Sequence, residues 1–136
     1  MATTLAHLQV NIDPAHAGFY RELFTHLGWG VLYDGDGILG VGATNDASLW
    51  FVPRTAEGPN DYDRAGVNHI AIGADSIAEV DAAAAYLASR GVPALFETPR
   101  HRPEFADGSG QTYYQVMFES PDRVLFEVVY SGPLET

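Results

Sequence analysis

Two histidines and one glutamate stand where they could act together. In Leu5-Ala6-His7-Leu8-Gln9-Val10 and Val67-Asn68-His69-Ile70-Ala71-Ile72 the imidazole takes the same place in two similar segments. Glu127 interrupts the apolar stretch 124–130, and an ionised carboxylate among such neighbours is costly unless it meets a cation or a metal. Two imidazoles and one carboxylate, with coordination positions left open, are the ligand set expected for Fe(II) and tolerated by Mn, Ni, Co or Zn. Singly, each residue has a plainer reading: a hydrogen-bonded strand histidine, or a glutamate paired with an arginine such as Arg100. The coincidence of three favours a divalent metal ion held by His7, His69 and Glu127.

Other chemistry is bounded by what the chain lacks. It has 136 residues and no cysteine, and its seven cationic side chains are all arginine. Schiff bases, P-loop phosphate binding, thiol nucleophiles and disulfides are thereby excluded. Eighteen acidic groups give a formal charge of −11, which repels nucleic acid and anionic membranes. No apolar stretch approaches the roughly 18 residues of a membrane span, and no basic leader opens the chain. The expectation is a cytoplasmic protein acting on a small molecule.

A second group of candidates lies around the long segment 98–110. Arg100-His101-Arg102 precedes Tyr113-Tyr114, so His101 is a candidate acid or base, and Arg100 and Arg102 are candidate anchors for an anionic substrate. The competing reading is a solvated loop whose arginines neutralise nearby carboxylates. Gln9 and Asn11 share the face of His7, and Gln115 that of Tyr113, as substrate or outer-shell hydrogen-bonders. Trp50 and Phe51 alternate, so one of them is expected to face a cavity.

These residues need a scaffold. Residues 5–12 alternate as a strand; Asp13-Pro14 opens a helix with Phe19, Tyr20, Leu23, Phe24 and Leu27 at helical spacing, ending near Gly28. Short apolar segments at 30–33, 38–43 and 49–52 are separated by turns. After a Pro- and Gly-rich stretch the pattern restarts. A strand is expected at 67–73, a helix capped by Ser76 and Glu79 and ending near Gly91, and strands at 92–97, 112–119 and 124–130. The reading is an α+β chain of two tandem βαβββ modules, 1–53 and 67–136, joined by a linker at 54–66. Their half-sheets would form a curved mixed sheet around a central cavity, with the helices outside.

The paired histidine openings, the helix ending Leu27-Gly28-Trp29 and the close Ser120-Pro121-Asp122-Arg123-Val124-Leu125-Phe126-Glu127 resemble the vicinal oxygen chelate superfamily of glyoxalases, extradiol dioxygenases and fosfomycin or bleomycin resistance proteins. The resemblance implies that His7, His69 and Glu127 bind the metal. It also implies that the substrate is chelated through adjacent oxygens, that an enolate or oxyanion is stabilised, and that the protein forms a homodimer. The usual ending D-P-D-G-N-x-x-E is altered at Ser120, Arg123 and Val124, while Pro121, Asp122 and Glu127 keep their places. The rival implication is a metal-free protein, like those of bleomycin resistance, that sequesters an aromatic or cationic compound near Trp50, Tyr62, Tyr113 and Tyr114.

Overall fold

The computed structural model describes residues 1–134. Its chain divides into two compact units, Met1–Pro59 and a second beginning at Asn60. The elements are two four-stranded mixed sheets and two α-helices.

In the first unit β1 (His7–Ile12) runs parallel to β4 (Ser48–Pro53), which pairs antiparallel with β3 (Ile38–Gly42) and through it with β2 (Gly30–Gly35). The Asp13 side chain accepts from Ala15 N at 3.0 Å and starts a 3-10 turn, Pro14–His16, that leads into α1 (Ala17–His26). Tyr20, Leu23 and Phe24 are buried, and the Tyr20 ring stacks on Phe51 at 4.3 Å. Burying each such side chain stabilises the unit by about 1.5–3 kcal/mol. A bidentate bond from Arg21 to Asp34, 2.7 and 2.8 Å, ties α1 to β2 and holds the Asp34 carboxyl below its usual range. Between β2 and β3 the turn residues Asp36 and Gly37 have φ of 55° and 77°, the left-handed pair that a two-residue hairpin requires.

The second unit repeats the plan with β5 (Ile70–Gly73), α2 (Ile77–Ser89), β6 (Leu95–His101), β7 (Gln111–Glu119) and β8 (Leu125–Pro133), in the order β5-β8-β7-β6. Ser76 Oγ accepts from Glu79 N at 3.1 Å, and Glu79 answers by accepting from Asp75 N at 2.6 Å. Val80, Ala83 and Leu87 are the buried stripe of α2.

Three differences from the sequence expectation bear on the site. The strand expected at 67–73 begins at Ile70; the Asn68 side chain, just before it, donates to Tyr62 O. The segment Asn60–Asp63, expected in the linker, is fastened to the second unit: Asn60 donates from its backbone to Asp122 O at 3.0 Å and from its side chain to Arg123 O at 3.2 Å. The strand expected at 92–97 runs from Leu95 to His101. Its register slips between Leu95 and Arg100, where Phe96 and Glu97 take φ of 57° and 60°. Arg100 and His101 therefore lie on a strand, not in a loop.

Candidate small-molecule site in the second unit

Strand parity decides which side chains meet. Met117 lies opposite Glu127 and Gln115 opposite Val129, so Tyr113, Gln115 and Met117 of β7 share one face with Leu125, Glu127 and Val129 of β8. The other face carries Val116, Phe118, Phe126 and Val128. On the first face a cavity of about 480 Å³ opens over Glu127, within the usual range for small-molecule sites. Gln115, Met117 and Leu125 line it beside Glu127. Tyr62, Asn68 and His69 stand on its walls, as do Phe96, Arg102, Phe105 and Tyr113.

Glu127 is 2% exposed, and both of its oxygens are engaged. The Tyr113 hydroxyl donates to Oε1 and the Gln115 amide to Oε2. Burial, and then the bond to Glu127, push the Tyr113 phenol far above its ordinary range, so Tyr113 remains a donor. His69 Nε2 faces Glu127 Oε1 at 3.9 Å. Behind it, Nδ1 is 2.8 Å from Asn68 Oδ1, while Asn68 Nδ2 donates to Tyr62 O at 3.0 Å. That donation orients the amide so that its oxygen accepts the Nδ1 proton. In the neutral ring the lone pair then sits on Nε2 and points at a carboxylate.

Two acceptors facing each other repel unless a proton or a cation lies between them. Their donor types, one imidazole nitrogen and one carboxylate oxygen, each braced from behind, are those of a divalent-metal site. The residues fit such an ion and would supply two of its ligands. Among the described residues no group of three or more histidine, aspartate or glutamate side chains forms a metal cage. His7 belongs to the first unit, where it opens β1 and is exposed.

Other expected site residues separate clearly. Arg102 reaches the cavity and donates from Nη1 to Gln115 Oε1 at 3.1 Å. Arg100 lies opposite Gln115 in the ladder, but its guanidinium stands 3.8 Å from Glu97 and does not line the cavity. His101 lies opposite Tyr114, on the face away from Glu127. Its Nδ1 is 2.6 Å from Thr112 Oγ1, and its ring packs on Tyr114 at 4.7 Å. Strand parity therefore removes His101 from the cavity. Tyr114 goes with it, donating to Asp81 on α2 at 2.6 Å, with its phenol pushed up to about 12 by burial and by Asp81.

In the first unit Gln9 and Asn11 share the exposed face of β1, with Gln9 Nε2 donating to Asn11 Oδ1 at 3.2 Å. Trp50 lies opposite Gln9 in β4, and its ring covers Gly40 so closely that a Cβ there would stand 2.6 Å away. Phe51 has the opposite parity and is fully buried against Tyr20 and Phe24. It is a core residue, not a contact for substrate. By register Trp50 is the counterpart of Glu127, since Ala71 pairs with Glu127 as Gln9 pairs with Trp50.

The sequence reading missed Asn68, Phe96 and Phe105. Asn68 had one available signal, its place next to a candidate ligand. The two phenylalanines had none, because they reach the cavity through a bulge and a 3-10 turn (Pro103–Phe105) that follow no period.

Comparison with known proteins bears on the same features. Over 66 residues, 48% of each chain, the protein is 39% identical to the uncharacterized protein YqjT of Bacillus subtilis (strain 168), so it matches about half of that relative's length. A solved structure from Bacillus halodurans described as a candidate glyoxalase is 27% identical, with a TM-score of 0.75 over 93% of this chain and 94% of that one. Lactoylglutathione lyase from Agrobacterium tumefaciens shares the fold at 19% identity, with a TM-score of 0.67 over 96% and 95% of the two chains. An antibiotic-binding protein from Streptomyces sp. CB03234 shares it at 23% identity, with a TM-score of 0.64 over 96% and 98%. The sequence pattern of one superfamily matches residues 4–128. The chain belongs to the Glyoxalase/Bleomycin resistance protein/Dioxygenase superfamily.

Proposed function

We propose that the cavity of the second unit binds a small molecule and, with a divalent cation held by His69 and Glu127, carries out chemistry at its oxygens. The observation that carries this reading is the opposition of His69 Nε2 and Glu127 Oε1 at 3.9 Å, each fixed from behind by its own hydrogen bonds. His7, at the matching place in the first unit, is the proposed third ligand. A cation held there supplies Lewis-acid stabilisation of charge that develops on a substrate oxygen. The chain does the rest: Tyr113 and Gln115 donate to Glu127 and orient it, and Asn68 sets the tautomer of His69.

Titration of the chelator-treated protein with Fe(II), Mn, Ni, Co and Zn near pH 7, where histidine is mostly neutral, tests the reading. One of these ions should bind near stoichiometrically. Glu127→Gln should weaken it by more than about tenfold, and Asn68→Ala by about 10- to 100-fold. Absence of stoichiometric binding, or binding unchanged in Glu127→Gln, overturns it. The protein is also proposed to be a homodimer, checked by sedimentation. If a mixture of His7→Ala and Glu127→Gln chains recovers tight sites, His7 and Glu127 of one site come from different copies.

A metal-free binding role is favoured by a different observation. Glu127 already has a donor on each oxygen, and among the described residues no buried side-chain polar atom lacks a partner. Burial of the carboxylate therefore does not itself demand a cation. In that role a ligand-induced rise in Tm survives EDTA.

A further inference from the structure

We propose that the cavity is specific for a small molecule bearing a carboxylate, or an anion of similar shape, and that Arg102 is the residue that receives it. This deepens the functional reading above and rests on it only for what happens at Glu127. Arg102 is the single arginine among the described residues lining the cavity. It is fixed on three sides. Glu104 accepts from its Nε, Gln115 Oε1 accepts from Nη1 at 3.1 Å, and the ring of Phe105 lies 4.8 Å from its central carbon. The Phe105 ring is in turn held edge-on against Tyr113 at 5.6 Å.

Nη2 makes no hydrogen bond to the protein among the described residues, so a pre-oriented edge of a guanidinium is left over. An edge of this kind receives a planar anion in bidentate fashion. The other charged groups on the wall do not compete for it. Asp63 stands 3.5 Å from Arg123, and Glu127 is engaged by Tyr113 and Gln115.

The geometry also sets a length. Arg102 and Glu127 hold opposite ends of the same Gln115 side-chain amide, so the anion site and the carboxylate that faces His69 are separated by one amide group and two hydrogen bonds. A ligand spanning that distance carries its reacting oxygen close to the anion, as 2-oxo and 2-hydroxy carboxylates do. Phe96 and Phe105 give its remaining part apolar walls.

The test is calorimetric titration of EDTA-treated protein with phenylglyoxylate and with its methyl ester, so that no metal contributes to any preference for the acid. Wild type should bind the acid at least about tenfold more tightly than the ester. Arg102→Gln should abolish that ratio while leaving ester affinity within about twofold, and Arg102→Lys should restore part of it. Equal affinity for acid and ester, no detectable binding of the acid at millimolar concentration, or a ratio unchanged in Arg102→Gln overturns the proposal. If Arg102→Gln fails to fold by circular dichroism, the ratio in Arg102→Lys and the fall of the wild-type ratio with salt decide in its place. Failure of metal binding with the ratio intact sinks only the metal reading; loss of the ratio with stoichiometric metal intact sinks only this one.

Discussion

Tyr113 spans the boundary between the cavity and a carboxylate almost removed from water. Its hydroxyl fills Glu127 Oε1, and its phenol is held well above the ordinary range by burial and by that carboxylate. Because the folded value is raised, the unfolded chain loses this proton first. The contribution to stability is full below about pH 10, the ordinary tyrosine value, and falls as pH rises beyond it. Tyr113→Phe leaves a buried acceptor short of a donor and should cost about 1–3 kcal/mol at neutral pH. It should also flatten the alkaline decline of stability, measured by urea unfolding between neutral and alkaline pH. An alkaline slope as steep in Tyr113→Phe as in wild type would show that some other group governs it. Glu127 and His69 were legible in the sequence as chemistry, because a carboxylate in an apolar strand and an imidazole repeated in two openings both break a pattern. Their braces were less legible: Tyr113 and Gln115 look like any polar strand residues until register puts them on the same face as Glu127.

The slip in β6 shows the same limit at the level of the element. Periodicity gave the βαβββ order twice and located both helices, whose caps and apolar stripes are local signals. It ended the strand at 97 because Phe96 and Glu97 adopt left-handed backbone that no alternation encodes, at a cost of order 1–3 kcal/mol for each such residue. That mistake in turn put His101 in a loop near the site, whereas one residue of parity decides that Arg102 enters the cavity and His101 does not. Thr98 makes the slip tolerable: its hydroxyl donates to Leu95 O at 2.7 Å and accepts from Met117 N at 2.9 Å, serving both backbone groups where the ladder is interrupted. Thr98→Val keeps the shape and removes both bonds. The expected loss is about 2 kcal/mol or more, seen as a lower urea midpoint with an unchanged slope. A change under about 0.5 kcal/mol would mean that water replaces the hydroxyl there.

Charge acts on the whole molecule. Each unit is net negative, with six acidic side chains against two arginines in the first and twelve against five in the second. Ion pairs do form, and arginines hold the carboxyls of Asp34, Asp61 and Glu104 below their usual range. Such lowered carboxyls contribute stability above the ordinary carboxylate range and lose it as pH falls through their folded values. The pairs are exposed, however, and exposed pairs contribute little. The unpaired excess repels itself in every direction over a Debye length of about 10 Å at 0.1 M salt. The segment from Asn60 shows both effects at once. Arg123, standing where the family pattern has glycine, takes φ of 60°, covers the Tyr62 ring at 4.5 Å and lies within 3.5–3.6 Å of Asp61, Asp63 and Glu119. One cation thus fastens a wall of the cavity among three anions. If repulsion outweighs pairing, moderate sodium chloride should raise the Tm of wild type near pH 7. In Arg123→Gly, which keeps the turn but removes the cation beside Asp63 and Glu119 and leaves Asp61 to Arg64 alone, Tm should be lower in low salt and rise more steeply with salt. A wild-type Tm that falls with salt would show that the pairs dominate. A parallel salt response in Arg123→Gly would show that its guanidinium holds the wall by packing on Tyr62 rather than by charge.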